Sequence, residues 1–251
     1  MKFLITGGNT TVPIDRVRHI TNGFSGRTGA SIARCAHEAG HDVTLLTSRP
    51  ESLGDLIPSE PSPERWRTLR YETFDDLMTA MQKEIQGGQH DVVIHSAAVS
   101  DYRVADTYMP AAGVYAVQEG SDMIWRSEDG MPLRLVSAAA GKVKSNAPEL
   151  WLRLIPTPKI IDCIRSDWGF GGVLVKFKLE VGVEERELLD IAERSRQHSG
   201  ADLMVANTLE TAPCRAYIGP TPEGYTQIVR RALPSTLLER VMAVAEARGI
   251  L

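Results

Sequence analysis

The chain has 251 residues, 43% hydrophobic and 24% charged, with a formal net charge of −4. That length allows one large α/β domain or two small ones, and the slight acidic excess argues against a binder of nucleic-acid backbones. Three cysteines (Cys35, Cys163, Cys214) are odd in number and widely spaced, which argues against a disulfide scaffold or a zinc ribbon. No apolar run nears the ~20 residues that cross a bilayer, and glycines interrupt MKFLITGG too early for a signal peptide. A cytoplasmic enzyme is expected, with no nucleic-acid or membrane partner.

The first thirty residues organise the rest. Phe3, Leu4 and Ile5 lead into Gly7-Gly8, and a polar loop follows with Asp15, Arg16, Arg18 and Asn22. Ser25-Gly26 and Gly29 then open an apolar-periodic stretch. This predicts a strand, a long glycine-punctuated loop and a helix start, which together set backbone N–H groups and a helix dipole beside an anion. Ala30, Ile32, Ala33 and Ala36 have helical spacing, Gly40 supplies the stop, and residues 42–47 read as a second buried strand. Such a βαβ unit implies a parallel sheet.

Residues 48–64 read as a surface loop, 69–73 as a short strand, and 75–86 as a helix with Leu77, Met78, Met81 and Ile85 on one face. Residues 91–98 (DVVIHSAA) form an interior strand. Asp101 follows its carboxyl end, where open α/β sheets bind ligands. Short strands at 114–117, 123–126 and 133–136 predict an inserted β-rich flap over 104–148. Next come a strand at 150–155, a helix over 158–165 with Pro158 in its first turn, and a strand at 172–179. A charged helix over 184–198 and a strand at 202–206 follow. A hairpin (215–218 and 225–230) and a helix over 235–248 with Ser235 as N-cap close the chain. The expected fold is α/β: a Rossmann-like, open, mostly parallel sheet with helices on both faces, one domain over 1–251 carrying the β-rich excursion.

Three familiar patterns fail: a dinucleotide fingerprint, the Tyr-x-x-x-Lys pair of short-chain oxidoreductases and a zincin string. Gly-x-Gly-x-x-Gly needs its glycines in one tight turn, whereas a long polar loop separates Gly7-Gly8 from Gly26. Neither Tyr102 nor Tyr108 has a lysine four residues later. His37-Glu38-Ala39-Gly40-His41 spells a zincin string, but Gly40 ends the helix and the two rings should diverge. His95, inside an apolar strand, reads as a satisfied core residue.

ITGGNTTVPIDRVRHITNGFSGRTG resembles the signature segment of the phosphopantothenoylcysteine synthetase (phosphopantothenate–cysteine ligase) family, close to ITxGGTxxPID-VRxIxNxSSGxxG. AAVSDYR, GKVKS, VKFKLE and DLMVANTLE resemble later family segments in the same order. The resemblance implies a stand-alone ligase without the decarboxylase domain and without flavin. A nucleoside triphosphate, CTP or ATP with Mg²⁺, would activate the carboxylate of 4′-phosphopantothenate, and the amine of cysteine would then attack. A homodimer is also implied.

By matching positions, Asn22 is expected to serve the acyl-nucleotidylate and its attack by cysteine, because an amide both donates and accepts. Arg18 is expected to clamp a carboxylate or phosphate, and Lys142, assisted by Lys144, to reach the phosphates. The resemblance further assigns Gly7, Gly8, Ser25, Gly26, Ala97, Asp101, Thr157, Pro158 and Ile160 to the nucleotide side, with Phe177 against the base. No protein metal ligand is assigned. Asn207 matches the family's VAN asparagine, its role open. Ser195 and Ser199 stand near positions where CTP-using bacterial members carry lysines, and Arg194 or Arg196 would have to replace that charge. The alternatives at this point are a Rossmann-type NAD(P)-dependent oxidoreductase and a non-catalytic relative that binds nucleotide or phosphopantothenate.

Overall fold

The computed structural model describes residues 1–58, 64–88, 90–141, 143 and 149–251. The chain forms two compact units. Unit 1 comprises Met1–Thr10, Asn22–Val99 and Lys159–Leu251, and unit 2 comprises Thr11–Thr21 and Ser100–Pro158. The stretch 104–148 falls inside unit 2, which is wider and also takes in part of the opening loop.

In chain order the elements begin with β1 (Lys2–Gly7), β2 (Thr11–Pro13), β3 (His19–Thr21), α1 (Arg27–Glu38), β4 (Asp42–Thr47), β5 (Trp66–Arg70), α2 (Phe74–Gly87) and β6 (Val92–His95). There follow β7 (Tyr102–Pro110), β8 (Val114–Glu119), β9 (Asp122–Ser127), β10 (Leu135–Ser137) and β11 (Trp151–Pro156). The chain closes with α3 (Ile160–Ser166), β12 (Val173–Glu180), α4 (Glu185–Ser199), β13 (Leu203–Thr208), β14 (Arg215–Thr221), β15 (Gly224–Val229) and α5 (Leu233–Ala247).

Unit 1 is an eight-stranded sheet in the order β15-β14-β13-β12-β6-β1-β4-β5. The six strands from β13 to β5 run parallel, and β14 and β15 add an antiparallel edge. Numbered among themselves, the parallel strands read 3-2-1-4-5-6 from the β5 edge, the doubly wound Rossmann order, with its switch point between β1 and β6. Alternation along each strand serves two layers. Phe3, Ile5, Leu45, Ile94, Val175 and Val205 join the core formed with α1 and α5. Leu4, Leu46, Val93 and Leu174 face α2 and α3, and Met204 and Ala206 face Leu188 and Ala192 of α4. Helices cover both faces, as the sequence implies.

Helix ends follow local chemistry. Gly40, at φ 94°, stops α1, and the His41 amide returns to the Ala36 carbonyl at 3.1 Å, the six-to-one bond of a glycine-terminated helix. Thr73 and Asp76 form a reciprocal capping box on α2. One expectation needs correction: Ser235 is not the cap of α5. The helix begins at Leu233 with Pro234 in its first turn, and the Ser235 hydroxyl donates to the Ala232 carbonyl, because proline tolerates the first turn, where its missing N–H costs nothing.

Unit 2 is antiparallel. β7 is the centre of a three-stranded sheet in the order β10-β7-β11, and β8 and β9 form a hairpin. Trp125 of the hairpin meets Trp151 of β11 edge to face at 4.4 Å. The opening loop, expected to be irregular, contains the β2–β3 hairpin. Its turn closes on Asp15, whose carboxylate accepts from the amides of Val17 and Arg18, an Asx turn that three-residue strands could not announce by periodicity.

Candidate active site

The carboxyl end of β1 meets the start of α1 at van der Waals limits. Gly26 precedes α1 with φ 81°, and a Cβ there would lie 2.6 Å from the Gly8 amide nitrogen. A Cβ on Gly29 would approach the Thr6 carbonyl at 2.8 Å, and one on Gly8 (φ 97°) would overlap the Ser48 hydroxyl. Only glycine fits this junction. The first turn of α1 carries no acidic side chain, and no side chain caps it, so its amides keep the partial positive charge that suits an anion. Ser25 is exposed just ahead of Gly26. Across the switch point, the Ala97 amide donates to the Thr6 hydroxyl at 3.2 Å, and the Ala98 amide donates to the Gly8 carbonyl at 2.8 Å. Gly7, Gly8, Gly26 and Ala97 are thus brought together at the ends of β1 and β6.

Asn22 joins them. Its side-chain amide donates to the Ala98 carbonyl at 3.3 Å, and its own carbonyl accepts from Asn9 Nδ2 at 2.6 Å. Three residues supporting this corner escaped the sequence reading: Asn9, Ser48 and Tyr71. The Ser48 hydroxyl donates to Asn9 Oδ1 at 3.0 Å and accepts from the Asn9 amide at 3.1 Å. The Tyr71 phenol donates to the Gly7 carbonyl at 2.9 Å, and burial pushes its pKa up, keeping it protonated. Asn9, Ser48 and Tyr71 follow the carboxyl ends of β1, β4 and β5, and that shared position was the available signal.

His95 is buried, with Nδ1 2.9 Å from the Thr6 hydroxyl. Burial lowers its pKa to about 4, with the nearby Lys176 ammonium adding to the effect. It is the satisfied core histidine expected. The zincin string also resolves as expected: His37 packs edge-on against Trp66 and His41 against Phe3.

In unit 2, Arg18 turns inward to its own loop. Its Nε and Nη2 donate to Asp15 Oδ2 at 3.1 and 2.7 Å, and Nη2 also donates to the Val143 carbonyl. The Val143 amide donates to the same carboxylate. The Val17 amide, the Arg18 guanidinium and these further amides hold Asp15 far below the usual carboxylate range. This geometry gives Arg18 a structural bond within the loop, with its side chain 42% exposed. Asp101 is exposed on a bend before β7 and not at a helix N-terminus. Its carbonyl accepts from the Thr157 amide at 2.9 Å, while the Thr157 hydroxyl donates to the Ser100 carbonyl at 2.7 Å. Pro158 is exposed and lies ahead of α3, not within its first turn. Lys142 and Lys144 lie outside the described residues.

The remaining positions belong to unit 1. The Ile160 side chain is buried in the α2–α3 core, and Phe177 is partly buried against the α1–α5 core. Asn207 lies inside β13, buried, since that strand runs on to Thr208. Arg196 bonds to Glu193 and to the Ala201 carbonyl, whereas Arg194 is exposed. Lys176 Nζ donates to the Ser195 carbonyl at 3.1 Å.

Comparison with known proteins places this geometry. Residues 1–110 match the model of the DNA/pantothenate metabolism flavoprotein C-terminal domain. A crystal structure of the DNA/pantothenate metabolism flavoprotein from Streptococcus pneumoniae superposes with a TM-score of 0.72 at 31% identity, covering 97% of this chain and 99% of that one. The chain belongs to this family. The bifunctional coenzyme A biosynthesis protein CoaBC of Thermococcus kodakarensis is 34% identical over 209 residues, 83% of this chain and 41% of that protein. The chain therefore spans about two fifths of the length of that relative. A Cab2 variant in complex with phosphopantothenate-cysteine shares the fold at 20% identity, with a TM-score of 0.65 over 98% of this chain and 88% of that one. The motif resemblance and the family agree.

Proposed function

We propose that the chain is a phosphopantothenate–cysteine ligase. In the first half-reaction a carboxylate oxygen of 4′-phosphopantothenate attacks the α-phosphorus of CTP or ATP and expels pyrophosphate. In the second the cysteine amine attacks the acyl carbon, loses a proton and expels the nucleoside monophosphate as the amide forms. Neither step needs a protein nucleophile; both need positioned donors and phosphate-binding groups. The observation that carries the reading is Asn22, fixed at the Rossmann switch point by the Ala98 carbonyl and by Asn9. There its amide can donate to the oxyanion and accept from the incoming amine. The glycine junction and the α1 amides suit phosphate oxygens. The relatives, a coenzyme A biosynthesis protein in CoaBC and a phosphopantothenate-cysteine complex in Cab2, support the same chemistry.

Among the described residues, no three His, Cys, Asp or Glu side chains form a group able to hold a metal. Mg²⁺ is proposed to be carried on the triphosphate and held by one carboxylate and waters, with Asp101 the carboxylate proposed for it. The ion would offset phosphate charge. Lys142 and Lys144 are proposed to reach the phosphates, and a homodimer is the proposed assembly. Incubation with phosphopantothenate, cysteine, Mg²⁺ and either CTP or ATP tests the reading. Release of pyrophosphate with CMP or AMP is expected and reveals the nucleotide, whereas tight phosphopantothenate binding without turnover on either triphosphate would overturn the enzyme assignment.

A further inference from the structure

Asn9 is 1% exposed, an amide side chain buried at the mouth of a parallel sheet. Burying such a group without partners costs its full desolvation, so each polar contact it makes matters. Its Oδ1 accepts from Ser48, its amide donates to Ser48, and its Nδ2 donates to the Asn22 carbonyl. Asn9 also bridges to Ala98, whose carbonyl receives the Asn22 side chain. Three connections from β1, β4 and β6 therefore meet at one residue, and one bond from it ends on the Asn22 carbonyl.

We propose that Asn9, braced by Ser48, is a positioning residue that sets the backbone of Asn22 for the cysteine step. The inference rests on the ligase reading of Asn22. Fold stability alone does not explain the arrangement: an apolar residue at position 9 would fill the space without needing three polar partners. The bond to the Asn22 carbonyl instead fixes where the Asn22 side chain starts. A displacement near 1 Å at a reacting group can cost about 100-fold in rate. Phosphate binding is assigned to the glycine junction and the α1 amides, whereas the Asn9 side chain bonds to Ser48 and to the Asn22 carbonyl.

Asn9→Asp tests this with little change in shape. It keeps an acceptor for Ser48 and replaces the donor facing the Asn22 carbonyl with an acceptor. Pyrophosphate release and amide formation are followed separately in single-turnover mixtures, with Tm recorded alongside. Amide formation should fall at least 10-fold while acyl-nucleotidylate forms within about 3-fold of wild type and accumulates. Ser48→Ala, a milder change in case the first variant does not fold, should show the same split at about 3-fold. Equal loss in both half-reactions, or no loss in amide formation, would overturn the inference. A wild-type protein that makes no amide would instead sink the ligase reading. An Asn22→Asp variant without the split would remove Asn22 from its role before Asn9 is judged.

Discussion

In unit 1 the strands β1, β4, β6 and β13 are buried along almost their whole lengths, whereas in unit 2 β7 buries Thr107 alone among nine residues, and β10 buries none of its three. The first region is held by apolar side chains packed on both faces of a sheet. The second relies on ladder hydrogen bonds and polar turns such as the one around Asp15. The difference separates two kinds of site residue. Asn22, Gly8 and Ala97 stand on a packed sheet, while Asp101 and Thr157 stand on a half-exposed one.

The contrast can be broken most severely at the glycine junction. Gly26→Val combines a positive φ with a backbone overlap at Gly8. It should cost at least ~3 kcal/mol and abolish turnover, measured by urea unfolding and amide formation. Leu45→Ala, in the fully buried core, should cost about 3 kcal/mol. The third test uses pH. Burial lowers the His95 pKa from 6.5 to about 4, so the folded protein binds fewer protons than the unfolded chain between these values. Stability from this site is complete above pH 6.5 and falls as pH drops toward 4, by roughly 3 kcal/mol; His95→Gln should flatten that slope. Asp15 has the opposite chemistry but the same sign: its lowered pKa gives a contribution present above about 3.8 and lost only as pH falls below that. Asp15→Asn, which removes the charge that Arg18 and the Val17 and Val143 amides meet, should lower the urea midpoint at neutral pH and speed hydrogen exchange at those two amides. Leu154→Ala in β11, at a side chain 45% exposed, should cost less than ~0.5 kcal/mol.

The same contrast decides what the residues reveal by themselves. DVTLLT and the VVIH core of DVVIHSAA were legible because a strand buried on both faces is mostly apolar, though the second strand ends at His95 and not at Ala98. Gly40 was legible because a helix stop needs its backbone freedom. β7 was not: Tyr102–Pro110 alternates poorly, with Asp106 and Arg103 on a sheet that never fully closes off water. The short β2–β3 strands were hidden for a related reason, since their turn is built by Asp15 hydrogen bonds and not by periodicity. In the site, Asn22 and the glycines stood out by spacing and motif. Asn9 and Ser48 did not, because their value lies in contact across 39 residues of sequence. The pairing of Arg18 with Asp15, three positions earlier, was not legible from residue type.

Asn22 is proposed to act after the carboxylate has been activated. In single-turnover mixtures of protein, phosphopantothenate, cysteine, Mg²⁺ and the accepted triphosphate, Asn22→Asp should release pyrophosphate near the wild-type rate but form amide at least 10-fold more slowly, with acyl-nucleotidylate building up. Equal slowing of both half-reactions would contradict it.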